Sequence, residues 1–190
     1  MKTKIDFKSS QEEYTDSEKI QLLVLARNII ETYLKSGQEI EPEIKNEKFL
    51  RPRGVFVTLT KKDKLRGCIG YIEPIKPLAQ AIKDNAIAAA TLDNRFLPVS
   101  VDELNDLKVE ISILTLPQAD TIENIIKEKR GVILRQGNRG ATYLPQVWNE
   151  LSDPKVFFTT LCAKGGLPDD CYLDSETEIR SYQAVVFSEK

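Results

Sequence analysis

Two glycines inside one short extended stretch constrain this chain more than any other feature. Gly54 to Thr60 alternates, with Val55, Val57 and Leu59 on one face, as a half-buried strand requires. Lys61-Lys62-Asp63-Lys64 then reads as a turn and Leu65 to Ile72 as a second strand, which together predict a hairpin. Inside that second strand stands Leu65-Arg66-Gly67-Cys68-Ile69-Gly70. Glycine within a strand lowers stability and marks a bulge or a close approach by another group. Two outcomes follow for Cys68. Either the glycines leave its thiol and the nearby amides open to a ligand, or it is a buried, inert residue beside a structural bulge. Arg66 precedes Cys68 by two residues, so an extended chain puts both side chains on one face. A guanidinium there favours the thiolate, the nucleophilic form of cysteine.

The rest of the chain supplies a mixture of helices and strands. Thr15-Asp16-Ser17-Glu18 reads as a capping box, followed by Ile20, Leu23, Ala26, Ile30 and Leu34 at helical spacing and a stop at Gly37. Residues 38–53 read as a connecting loop. A second helix, rich in alanine, runs from Pro77 to about Leu92 and is broken by Asn94-Arg95-Phe96-Leu97-Pro98. A short helix over Val101 to Leu107 leads into a strand over Lys108 to Thr115, with Glu110 and Ser112 on the polar face. Ile122 to Lys129 is helical. Gly131 to Arg135 and Ala141 to Leu144 flank a hairpin turn at Gly137-Asn138-Arg139-Gly140. Asp153-Pro154 opens a helix that ends at Gly165-Gly166, and Ile179 to Phe187 alternates as one final strand. Hairpins without a regular βαβ rhythm predict an α+β fold, a largely antiparallel sheet flanked by helices.

Composition excludes several kinds of chemistry. The chain has no histidine, which removes Ser-His-Asp triads, Cys-His dyads and histidine metal ligands. A base must be Asp, Glu, Lys, Tyr or a cysteine thiolate. With 190 residues, 41% of them hydrophobic, a full core can form in a single domain spanning 1–190, with two lobes as an option. The formal charge of −2 exerts no global pull on nucleic acid or anionic membrane, and no apolar run approaches the roughly 20 residues of a membrane span. The start Met1–Lys8 lacks the pattern of a secretory signal. Cys68, Cys162 and Cys171 form no CxxC pair and read as free thiols of a reducing compartment, which sets the cytoplasm as the expectation. Cys162 falls on an apolar helix face, whereas Cys171 follows Asp169-Asp170, whose charge disfavours its thiolate. No metal-ligand spacing and no cofactor is called for.

Candidate companions for Cys68 are a carboxylate, Glu110 or Asp93, as base or hydrogen-bond acceptor, and Arg95, Arg139 and Lys164 as positive charges. Arg139, in a glycine-rich turn, has the reach to meet a bound anion. The plain alternative for each is an ordinary ion pair or an exposed turn. Residues 43–66 hold eight basic side chains against three acidic, opposite in sign to the whole. Such a run is a solvated face, or a surface for an acidic partner or RNA; without interleaved aromatics, RNA is the minority outcome.

Leu65 to Gly70 resembles the signature hexapeptide of the AMME chromosomal region (AMME syndrome candidate gene one) domain family, whose prokaryotic form is AmmeMemoRadiSam system protein A. Asp93-Asn94-Arg95-Phe96-Leu97-Pro98 resembles the family's Asp-Pro-Arg-Phe-Pro-Pro segment, with Asn94 and Leu97 in place of proline. Val109 to Leu114, Gly140 to Val147 and Leu161 to Leu167 are similar as well, apart from Gly165 where alanine is common. The resemblance covers most of the chain. It implies an α+β fold with a sheet-containing part, a smaller lobe and the hexapeptide near a cleft between them. It implies a modification pathway shared with Memo-like and radical SAM proteins, and no particular reaction. A cleft site for a small anionic substrate would then hold Cys68 and Glu110 as reacting groups and Arg66, Gly67, Gly70, Arg95, Arg139 and Lys164 as binding groups. The alternatives are a non-catalytic adaptor for those partners and an RNA-binding domain.

Overall fold

The computed structural model describes residues 14–190; Met1–Lys8, read above for a signal, lies outside them. The described chain forms two compact units, one taking the residues up to Leu116 together with Val185–Lys190, the other Pro117–Ala184.

The first unit is a four-stranded sheet with two helices on one face. Its strands are β1 (Val55–Lys61), β2 (Lys64–Tyr71), β3 (Leu107–Leu114) and β8 (Ala184–Ser188), in the order β2-β1-β3-β8. The hairpin between β1 and β2 turns on Lys62 and Asp63, both with positive φ, as the tightest twist-compatible turn demands. Val55, Val57 and Leu59 are fully buried against the helices, so the alternation in the sequence maps onto one sheet face.

Helix α1 (Asp16–Ser36) starts in the expected capping box, where the Thr15 amide donates to Glu18 and the Glu18 amide to Thr15. It ends at Gly37 in the left-handed region, whose amide donates to the Tyr33 carbonyl. Its buried stripe runs through Leu22, Leu23, Ala26, Ile29 and Ile30, and Ile20 is left exposed. Helix α2 (Leu78–Thr91) begins one residue later than expected, with Pro77 as its cap. Buried Ala79, Ala81, Ala86, Ala89 and Ala90 allow it to lie close on β1 and β2. The buried Lys83 ammonium of this helix meets Glu39 at 3.0 Å and Glu41 at 2.5 Å, tying the preceding loop down. That loop also contains a 3-10 turn over Glu47–Leu50 which buries Phe49.

The second unit is a sheet in the order β4-β7-β5-β6, antiparallel throughout: β4 (Gln118–Ala119), β5 (Gly131–Gln136), β6 (Arg139–Tyr143) and β7 (Glu178–Tyr182). Helices α3 (Ile122–Glu128) and α4 (Pro154–Lys164) complete it. Trp148 stacks on Phe157 at 3.7 Å and donates its indole N–H to the Arg130 carbonyl at 2.8 Å, so the large ring is buried with its polar atom satisfied.

Two sequence expectations do not hold. Ile179 to Phe187 is not one strand: β7 and β8 belong to different sheets, because the alternation continues through Gln183 while the hydrogen-bonding partners change. Cys162 and Cys171 are not free thiols but a disulfide with Cα atoms 6.0 Å apart, leaving Cys68 as the free cysteine. The two lie nine residues apart in sequence, and it is the reversal of the chain after α4 that brings them together. Among the described residues no helix is long and apolar enough to cross a membrane.

Closing a loop of about ten residues stabilises by about 2–3 kcal/mol. Cys171→Ser, made in a Cys68→Ser background to prevent exchange, is therefore expected to lower Tm by about 5–10 °C. Reductant should reproduce that loss in the Cys68→Ser parent, as read by scanning calorimetry.

Candidate functional site

Strand β2 carries an irregularity that decides where Cys68 faces. Thr60 pairs with Leu65, but Leu59 pairs with Gly67, so Arg66 is the extra residue of a bulge. Beyond it, Cys68 stands opposite Thr58, and Thr58 in turn stands opposite Glu110 of β3. Cys68, Thr58 and Glu110 thus form one row across three strands, all half-buried, on the face away from α1 and α2. The Thr58 hydroxyl lies 3.2 Å from the Cys68 sulfur, to which it can donate. Neighbouring strands are about 4.8 Å apart, which puts Glu110 roughly 10 Å from Cys68. The two are too far apart for direct proton transfer, and Thr58 lies between them.

The glycines are explained by packing. A Cβ at Gly67 would overlap the Ala89 carbonyl oxygen, so α2 can sit on β2 only where this side chain is missing. One at Gly70 would overlap the Phe56 ring, which lies across it from the neighbouring strand. The close approach the sequence foretold at Gly67 is by a helix.

Arg66 is fully engaged. Its Nε and Nη2 donate to the two Glu103 oxygens at 3.0 and 2.9 Å, Nη1 to the Leu97 carbonyl at 2.8 Å and Nη2 to that of Pro98 at 3.2 Å. The expected alternation of Arg66 with Cys68 fails because the bulge falls between them, and the guanidinium turns to the 97–103 segment instead. Glu103 also takes Lys61 at 3.0 Å and the Ser100 amide at 3.1 Å. Paired with Arg66 above all, it is held far below the usual carboxylate range, while Arg66 is raised by the same bond.

Asp93 and Arg95 meet Cys68 through its backbone. The Cys68 amide donates to Asp93 Oδ2 at 2.8 Å, and Arg95 Nη2 donates to the Cys68 carbonyl at 3.2 Å. The pair is itself closed by Arg95 Nε to Asp93 Oδ1 at 2.9 Å and Nη2 to Oδ2 at 2.6 Å. These bonds, that to Arg95 first, hold buried Asp93 far below the ordinary carboxylate range, which removes it as a base. Glu110 behaves oppositely: burial alone pushes its carboxyl up.

Arg139 and Lys164 belong to the second unit. Arg139 donates to the Gly166 carbonyl at 2.9 Å; Lys164 donates to the Thr142 carbonyl at 3.0 Å and lies over the Tyr143 ring. The two segments singled out around Gly140 and Lys164 therefore meet, with the end of α4 packed on β6. Sequence reasoning missed Thr58 and Glu103. Only the Ser100-to-Glu103 capping-box spacing signalled the latter, and nothing in the sequence marks Thr58.

The architecture, two antiparallel sheets with helices and a bulged, glycine-bordered strand, defines an α+β class in which Leu65–Gly70 is clamped at a sheet edge. The chain belongs to the AMMECR1 family, whose model matches residues 23–187. It is 42% identical over 177 residues to a protein of Methanothermobacter thermautotrophicus, covering 88% of this chain and 92% of that one. It is 41% identical over 184 residues to Protein MK0488 of Methanopyrus kandleri, covering 89% and 87%. The crystal structure of PH0010 from Pyrococcus horikoshii superposes with a TM-score of 0.79 at 39% identity, over 90% of each chain.

The two kinds of carboxylate give opposite pH dependence. Depressed Asp93 and Glu103 stabilise the fold above the unfolded-state value near 4, and that stability is lost progressively as pH falls from there through the lower folded-state values. Glu110, raised on folding, holds its proton more tightly in the native state, so its ionisation costs stability as pH rises. Glu110→Gln is expected to raise Tm at pH 7 by about 1–2 °C, with the gain gone at pH about 3.5, as a pair of melting series would show.

Proposed function

We propose that this chain is a thiol-dependent component of a modification pathway, acting on a small anionic substrate at Cys68. The observation that carries the proposal is the row of Cys68, Thr58 and Glu110, with the Thr58 hydroxyl 3.2 Å from the sulfur. Cys68 acts as nucleophile, and Thr58 orients its sulfur by donating to it. As the Cys68 sulfur bonds to a substrate lying across Thr58, the bond to the leaving group breaks and Glu110, kept protonated to higher pH by burial, gives that group its proton. Both arginines are paired with a carboxylate, but the Arg66 side chain is 17% exposed and that of Arg95, beside Cys68, is 52% exposed, so anion binding falls to Arg95.

The test is a thermal-shift screen of small carboxylates and phosphates, with turnover of the hits followed by NMR. Cys68→Ala and Cys68→Ser are expected to abolish turnover while retaining binding, and Glu110→Gln to reduce it about 100-fold. Wild-type turnover in both cysteine variants would remove the thiol from the mechanism.

The partners in this proposal are Memo-like and radical SAM proteins, met through the tip of the β1–β2 hairpin. Lys62 and Lys64 are exposed there, whereas Lys61 is held by Glu103. Reversing the charge at Lys62 and Lys64 should abolish co-purification with such partners and leave alkylation of Cys68 at its wild-type rate. Retained co-purification would clear the hairpin of this role.

A further inference from the structure

Strand β2 is an outer strand, so the Cys68 amide and carbonyl that point away from β1 have no strand to receive them. Edge groups of this kind are ordinarily left to water or covered by another element. Here one acidic and one basic side chain take both. Asp93 accepts from the amide at 2.8 Å, and Arg95 donates to the carbonyl at 3.2 Å. Two bonds to one residue, made by a mutually bonded pair, fix that residue more tightly than either bond alone. The pair is also asymmetric in exposure. Asp93 is 4% exposed and fully occupied, while Arg95 keeps half of its side chain in solvent.

We infer that Asp93 and Arg95 are the positioning residues of the Cys68 thiol, the pair fixing its place in the row and Arg95 setting the charge that an incoming anion meets. This rests on the reading of Cys68 as the reacting group. The groups around Cys68 are Thr58 from β1 at its sulfur, Glu110 further along the row on β3, and Asp93 and Arg95 from the segment after α2 at its amide and carbonyl. On its own strand, Arg66 is turned away to Glu103. Arg66 and Arg95 are each paired with one carboxylate, but Arg95 keeps 52% of its side chain in solvent against 17% for Arg66. The pKa of Arg95 is raised by its bond to Asp93 first, with Cys68 contributing as well.

A purely structural clamp and a positioning charge differ in one readout. Loosening the strand changes alkylation by neutral and anionic reagents alike, whereas losing a local cation slows the anionic reagent selectively. Cys68 of the full chain, with the Cys162–Cys171 bridge intact, is alkylated with iodoacetamide and with iodoacetate from pH 6 to 10 and quantified by mass spectrometry. The iodoacetate-to-iodoacetamide rate ratio is expected to exceed that of the denaturant-unfolded chain by about threefold or more. Arg95→Gln should return the ratio to the unfolded value, Arg95→Lys should keep most of it, and Asp93→Asn should lower it by releasing Arg95. An unchanged ratio in Arg95→Gln, in a protein with native circular dichroism, overturns the inference. Should these variants not fold, salt decides on the wild type: 1 M NaCl collapses the ratio if the cation is real, and an insensitive ratio overturns it. If Cys68 of the folded wild type alkylates with the rate and pH profile of the unfolded chain, the reading of Cys68 as reacting group falls, and this inference with it.

Discussion

The chain counts out its hairpin from the Lys62–Asp63 turn, and a regular ladder from that turn would set Thr58 opposite Gly67. The single extra residue at Arg66 shifts the register so that Thr58 meets Cys68 instead. Because side chains alternate faces, a slip of one residue exchanges what lies inside with what lies outside. Without the bulge, Cys68 would point into α2 and Gly67 would sit on the opposite face. With it, the position without a side chain is delivered to the Ala89 carbonyl, where nothing larger fits, and the thiol is delivered to Thr58. The core under α2 and the row on the opposite face depend on the same local irregularity.

Such a bulge needs holding, and both of its sides are anchored by charge. Arg66 is fastened to Glu103 and to the Leu97 and Pro98 carbonyls, and Cys68 is fastened to Asp93 and Arg95. All these partners lie between residues 93 and 103, the segment that leads from α2 towards β3. Val99 returns to α2 by donating its amide to the Ala90 carbonyl at 2.8 Å, so the segment is itself tied back. An edge strand that would otherwise expose bare backbone becomes one whose hydrogen bonds are taken by a buried carboxylate and its guanidinium. Acidic groups stabilised in this way are ionised at neutral pH, whereas burial pushes the carboxyl of half-buried Glu110, in the row, the other way.

The second unit uses other means. Its sheet is small, and stacked Trp148 and Phe157 with Phe158 fill a core that the buried Cys162–Cys171 bridge closes. Arg139 and Lys164, which by residue type suit an anion, instead satisfy the carbonyls of Gly166 and Thr142. A basic side chain near glycines is read equally well as a ligand for phosphate or as a cap for a helix end, and only its hydrogen-bond partners separate the two.

Much of the fold is legible from local rules. The capping box at Thr15, the stop at Gly37, the alternation of Val55, Val57 and Leu59, and the alanine-rich face of α2 each follow from short-range periodicity and backbone chemistry. So does the importance of Leu65–Gly70, since glycines inside a strand announce a close approach without saying which group makes it. Tertiary structure alone decided that a helix carbonyl fills the space at Gly67, that Arg66 pairs with Glu103, that Cys68 stands beside Thr58, and that Cys162 reaches Cys171. The physical reason is the same in each case. Periodicity assigns a residue to a face, but a one-residue slip in register, or the partner 37 positions away that takes a guanidinium, is set by packing between elements that the chain brings together only on folding.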